Sequence, residues 1–332
     1  MIKNLQVLRA IAALLVVFFH CDFLGLKIGQ FGVDIFFVIS GYIISFILNK
    51  RTEHFLLKRF IRVIPMYYFF TCLVILVWLF YPQGMNNVYI SASSIFKSFL
   101  FIPYTVGASG PILSNGWTLN YEIFFYVLVG TLVMVFKKPT ITLFSASLII
   151  VSIIVYSLTA NSSNEFLSFY SNQITLEFIF GIFLYYLTNS FRQMLSTRPA
   201  VIIAAFIALI SFVIMVYCDF QKIYFSRVLL FGIPSFFVVL FFITSESFTK
   251  GDNRIYNYFY EIGNASYVVY LAHPFIIFFI ARLISPIFGA NLFYTVIELA
   301  LKLLLVVLVS NWIHNKIELP VVKSIERFLY PH

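Results

Sequence analysis

Runs of about twenty mostly apolar residues follow one another along the chain with short polar breaks between them, and each is long enough to cross a hydrocarbon core as a helix. They predict spans over residues 5–23, 31–48, 64–81, 117–136, 141–159, 172–187, 200–217, 228–244, 265–284 and 293–313. No run alternates with the period of two that a lumen-facing strand would show, so a barrel is excluded. The expected fold is all-α, a polytopic membrane bundle of about ten transmembrane helices. The first run follows Lys3 and Arg9 and has the length of a signal peptide, but no small-residue cleavage site follows it and a second run opens at Phe31. The longest break, 82–116, holds an apolar stretch over 88–102 with Ser91, Ser93, Ser94 and Lys97 interspersed. It predicts a helix lying in the interface or dipping back into it, after which Pro103, Gly107, Gly110 and Pro111 return the chain to the next span.

Polar positions set the orientation. With the N-terminus in the cytoplasm, the inner side gathers Lys3 and Arg9, Lys50 and Arg51, then Lys58, Arg59 and Arg62, then Lys137 and Lys138, Arg192 and Arg198, and later Lys250, Arg254, Lys316, Lys323 and Arg327. The outer side receives Lys27, Lys97, Lys222, Arg227 and Arg282, and Lys302 falls within the last span. The positive-inside rule then predicts both termini in the cytoplasm. Composition agrees: 61% of the 332 residues are hydrophobic and 11% charged, too few polar groups to cover a water-soluble domain. The net charge of +9 follows from topology, with no basic face for nucleic acid. Three scattered cysteines, Cys21, Cys72 and Cys218, read as buried thiols, and no metal triad can be assembled. No loop is long enough for a core of its own, so 1–332 is expected to be one membrane domain.

Ionisable groups within a bilayer are expensive, and each is a functional candidate with an expected partner. Arg9 and His20 are eleven residues apart, which on a helix returns to within about 20° of the same face over a rise of about 16 Å. Asp34 and Glu122 each lie about one turn inside the outer ends of their spans, and Glu177 is placed at a similar depth. An imidazole beside a carboxylate is the arrangement of general-base catalysis, so Asp34 or Glu122 is expected to orient His20. On the inner side Arg59 and Arg62 share a helix face and, with Arg9, form a candidate clamp for a phosphorylated ligand. Trp117, Tyr121 and Tyr126 flank Glu122 and are candidates to stack on a sugar ring. His273 follows Ser266, Tyr267 and Tyr270 and precedes Pro274, and it reads as structural, with a nearby hydroxyl or the imidazole satisfying a carbonyl that the proline frees.

These residues carry a resemblance. L-R-A-I-A-A-L-L-V-V at 8–17 followed by His20, G-V-D-I-F-F-V-I-S-G-Y at 32–42, R-F-I-R at 59–62, G-W-T-L-N-Y-E-I-F-F-Y at 116–126 and G-N-A-S-Y-V-V-Y-L-A-H-P at 263–274 occur in this order. Together they resemble the acyltransferase-3 family of bacterial membrane acyltransferases, most closely its stand-alone exopolysaccharide O-acetyltransferases. The resemblance implies an acyl-CoA donor, usually acetyl-CoA from the cytoplasm, and a sugar hydroxyl acceptor in the periplasm or on a lipid carrier. It implies an inner-membrane location, and it makes Arg9 and His20 the essential first-helix pair, with Arg59 and Arg62 on the donor side and Glu122 in the fourth-span motif. Relatives with a hydrolase-like extracytoplasmic domain carry it after the last span, and none is expected here. A transporter or flippase of lipid-linked sugar is the rival reading, but no repeated half is evident and the basic cluster before the third span has no counterpart later in the chain.

Overall fold

A computed structural model describes residues 2–22, 28–50, 53–85, 90–104, 110–160, 164–223, 226–249, 253–283 and 292–330. Phe23 and Ile284 at expected span ends, the basic residues Lys27, Arg51 and Lys250, the start of the 88–102 stretch at Val88, and Gly107 lie outside the described residues. The helices in chain order are α1 (Lys3–His20), α2 (Phe31–Leu48), α3 (Phe55–Phe80), α4 (Ala92–Phe99), α5 (Trp117–Val135), α6 (Pro139–Ala160), α7 (Glu165–Tyr170), α8 (Leu176–Ser190), α9 (Arg192–Leu195), α10 (Arg198–Phe220), α11 (Ile233–Thr244), α12 (Arg254–Asn264), α13 (Ser266–Leu283), α14 (Leu292–Ile313) and α15 (Leu319–Leu329). Among the described residues nine segments are long and apolar enough to cross a membrane. The expected span at 172–187 falls on α8, whose 15 residues rise only about 22 Å against a core of about 30 Å. The protein is an all-helical, multi-pass membrane protein.

Contacts group the chain into two units. The first comprises Met1–Ile43 and Glu177–Ile317. Within it α1 packs against α11, α12, α13 and α14. Its first turn has no capping side chain of its own, since Ile2 precedes it. Glu246, just after α11, supplies the cap: its carboxylate accepts from the backbone N–H groups of Lys3 (2.9 Å) and Asn4 (2.8 Å). Asn4 then donates to Ser245 and Thr249 and accepts from the Tyr256 hydroxyl, so three segments meet at the start of α1. A carboxylate on two orphan N–H groups satisfies both and complements the helix dipole.

Small residues set the closest crossings. A Cβ on Gly41 of α2 would collide with the Phe178 carbonyl of α8, and one on Gly181 would collide with the Val38 carbonyl of α2. The two helices therefore touch backbone to backbone. Gly32 in the same way backs onto the Ala12 carbonyl of α1, and Gly29 onto the Leu15 carbonyl and the Phe19 backbone nitrogen and Cβ. That register makes α1 and α2 antiparallel. It also fixes how far along α1 each residue of α2 lies.

The second unit comprises Ile44–Leu176 and Glu318–His332. In it α3 begins at Phe55, nine residues before the expected span, so Lys58, Arg59 and Arg62 sit on the helix itself and Pro65 lies within it. The 88–102 stretch contains the eight-residue α4, too short to cross, which opens with a reciprocal Ser91 and Ser94 capping box. Ser94 and Ser98 face inward, while Phe96 is exposed. Tyr67 and Tyr68 of α3 donate to the carbonyls of Ser98 (3.2 Å) and Phe99 (2.7 Å), which ties the stretch to that helix.

Candidate active site

In the first unit the last residue of α1, His20, is exposed. Its Nδ1 lies 2.9 Å from the Val16 carbonyl one turn back. A carbonyl only accepts, so Nδ1 carries the proton in the neutral ring and Nε2 holds the lone pair. Phe19 meets the ring edge-on at 5.1 Å. His273 of α13 lies against it with ring centroids 4.7 Å apart at a tilt of 56°. His273 is fully buried, its Nδ1 is 3.2 Å from the Val269 carbonyl, and its Nε2 has no hydrogen-bond partner among the described residues. The ring also faces the carbonyl of Tyr270, which Pro274 deprives of its helical donor.

The depth of this centre differs from the expectation. His273 is followed by ten residues of α13, about 15 Å of helix. On α14, Val306 and Leu303 pack with Val17 and Cys21 at the end of α1. They too are more than ten residues from the start of that helix at Leu292. His20 is therefore recessed by about 15 Å from the ends of its two neighbours. Lys302 of α14 acts on the Cys21 thiol and pairs with Glu298 at 2.6 Å, which puts an ion pair inside the bundle near this level.

Asp34 does not orient His20. It is fully buried, and Arg227 grips it in a fork, Nε to Oδ1 at 3.1 Å and Nη2 to Oδ2 at 2.7 Å, with Nη1 reaching Gln30 at 3.1 Å. The glycine register sets Gly32 opposite Ala12, so Asp34 lies near Ala10, about ten residues or 15 Å along α1 from His20. Glu177, also fully buried, lies beside Asp34 and against Gly232, so the carboxylates that the structure joins are Asp34 and Glu177. Arg9 is buried on α1 and donates to Gln6 at 3.2 Å.

The second unit holds the other candidates. Gly116 abuts Tyr67 and Gly130 abuts Leu56, so α5 runs antiparallel to α3 with Tyr126 opposite Arg59. The Tyr126 hydroxyl donates to Glu122 and lies within reach of the Arg59 guanidinium, whose charge also feels Glu122 and Arg62. Glu122, expected at the outer mouth, and Arg59, expected at the inner one, thus form a single cluster. The sequence estimate failed because it began α3 nine residues late. Tyr121 is not free to stack on a sugar. It is buried, its face lies 4.4 Å from Phe169, its hydroxyl donates to the Phe169 carbonyl at 3.0 Å, and Tyr170 and Trp117 meet it edge-on. Burial in this aromatic group pushes the Tyr170 hydroxyl up to about 12. Tyr126 is equally buried, and Trp117 is partly exposed.

Several groups at these centres escaped the sequence reading. The sequence reads His273 as structural and Arg227 as an outer-side charge, and it pairs neither with the residue that the structure sets against it. The i, i+4 spacing of Glu298 and Lys302 inside an apolar run was the available signal.

The first unit thus presents an exposed imidazole tied at Nδ1 to a carbonyl, and the second unit holds a cluster of Arg59, Glu122 and Tyr126. The chain belongs to the acyltransferase domain family, which matches residues 2–314. Among its relatives are the exopolysaccharide production protein ExoZ of Rhizobium meliloti, 32% identical over 47% of this chain and 50% of that protein, and the peptidoglycan O-acetyltransferase OatA of Listeria monocytogenes, 33% identical over 41% of this chain and 25% of that protein. The O-acetyltransferase OatA of Staphylococcus aureus is 31% identical over 50% of this chain and 31% of that protein. The chain spans half or less of the length of these relatives. No solved structure matches it.

Proposed function

We propose that the protein is a membrane O-acyltransferase that moves an acyl group, most simply acetyl, from acyl-CoA on the cytoplasmic side of the inner membrane to a sugar hydroxyl of an exported or cell-surface polysaccharide or its lipid-linked precursor. Both termini then face the cytoplasm, in keeping with the placement of basic residues. The observation that carries the reading is His20: exposed, tied at Nδ1 to Val16, and so presenting the lone pair of Nε2. The names of the relatives, which refer to O-acetyl transfer and exopolysaccharide production, support the acyl group and the acceptor class.

In this reading His20 Nε2 takes the proton of the sugar hydroxyl as its oxygen forms the ester bond to the thioester carbon. The C–S bond breaks, and the departing CoA thiolate receives the proton. Carriage of the acyl group on Nε2 would use the same lone pair. The donor side is assigned to Arg9 in the first unit and to Arg59 and Arg62 in the second. The Arg59 Nε is buried with no hydrogen-bond partner among the described residues, which supports a guanidinium with a donor left for phosphate. Trp117 is the aromatic group left with exposed surface for an acceptor.

Purified protein supplied with radiolabelled acetyl-CoA and membranes carrying lipid-linked glycan tests this. The expected result is label in glycan, with Arg59→Ala weakening acetyl-CoA binding at least about tenfold. Movement of glycan across the membrane without consumption of acyl-CoA would contradict it.

A further inference from the structure

We propose that His273 is a positioning residue for His20: a second imidazole set against the first, which holds the His20 ring with Nδ1–H on Val16 and Nε2 free. This deepens the reading of His20 as the transfer centre and rests on it. Three observations carry it. The rings are 4.7 Å apart, closer than packing through intervening side chains allows. The contact is built by the helices themselves, since Ala13 and Val17 of α1 and Val269 of α13 are all fully buried in one cluster a turn away. The buried Nε2 of His273 has no hydrogen-bond partner among the described residues.

The third observation separates this role from a purely structural one. Satisfying a carbonyl at the Pro274 turn needs only a donor, which a serine, threonine or asparagine would supply without a second polar atom to bury. A buried acceptor without a partner is destabilising, and such a group in a folded protein calls for an explanation. Beside His20 the explanation is chemical. When His20 takes a proton, the neighbour that keeps its ring in place must not carry a positive charge, and a neutral imidazole with a lone pair meets that need. Asp34 does not fill the place, because Arg227 holds both of its oxygens.

Two variants of the protein test the proposal. His273→Asn keeps an amide donor for Val269 and removes the ring, while His273→Phe keeps a ring and removes both nitrogens. In both, kcat is expected to fall at least about tenfold with the KM for acetyl-CoA within about twofold of wild type. A kcat within twofold of wild type in His273→Asn would overturn the proposal in favour of a carbonyl cap. The same result in His273→Phe would overturn it in favour of simple packing, and a KM rising in step with the loss of kcat would indicate general damage and overturn it too. A second readout does not depend on turnover: the rate at which diethylpyrocarbonate modifies His20, followed by mass spectrometry. Release of the ring from Val16 is expected to lower that rate at least about threefold in both variants, and an unchanged rate would overturn the proposal. If wild type transfers no acetyl group while the modification rates still change as expected, the function assigned to the site fails and the pairing stands.

Discussion

At the scale of single residues, the cost of burying charge explains most of the polar geometry. Asp34 is fully buried and Arg227 neutralises it, while Glu177 beside it adds a second carboxyl to one guanidinium. Removing one partner of a buried pair strands the other, at about 3–5 kcal/mol. Arg227→Ala should therefore lower stability in detergent by about that amount, and adding Glu177→Gln should restore part of it by removing one of the two competing carboxyls. Thermal unfolding of the single and double variants measures this. Strict additivity of the two changes would show that the groups do not interact. The sequence identified Asp34 and Glu177 as membrane-depth carboxylates but not their cation, because Arg227 follows an apolar span and looks like any other loop charge.

At the scale of elements, caps and close crossings position α1, and α1 carries His20. Glu246 caps α1 from a distant part of the chain, and its replacement by Ala leaves two N–H groups without their acceptor. A loss of about 1–2 kcal/mol is expected, with Glu246→Gln intermediate, again read by thermal unfolding. Nothing in the sequence near Lys3 signals this cap, since the partner is more than 240 residues away. The α2–α8 crossing is stricter: Gly41→Leu would drive a side chain into the Phe178 carbonyl. Little folded protein should be recovered from membranes, whereas Ser40→Ala on the neighbouring, half-buried position should be recovered normally. The apolar runs located most helices well, because lipid demands long unbroken segments. They misplaced the start of α3 because Lys58, Arg59 and Arg62 interrupt the hydrophobic pattern without ending the helix, and that error carried Arg59 away from Glu122.

At the scale of the molecule, the membrane class, the helical fold and the family were legible, since each rests on pattern over the whole chain or on motifs in fixed order. Relative depth was not. Counting residues inward from span ends puts Asp34 level with His20, but the glycine register sets it more than two turns further along α1, and α13 and α14 extend past the end of that helix. The structure instead pairs Asp34 with Arg227, Glu122 with Tyr126, and His20 with His273. The imidazole at the end of α1 is thus the point at which the acyl group is proposed to change hands. The most direct test is single-turnover transfer from labelled acetyl-CoA by His20→Ala beside wild type, with acetyl-CoA binding measured on the same preparations. The account predicts unimpaired binding and a transfer rate lower by about 10²–10⁴-fold. Transfer at the wild-type rate by His20→Ala would contradict it.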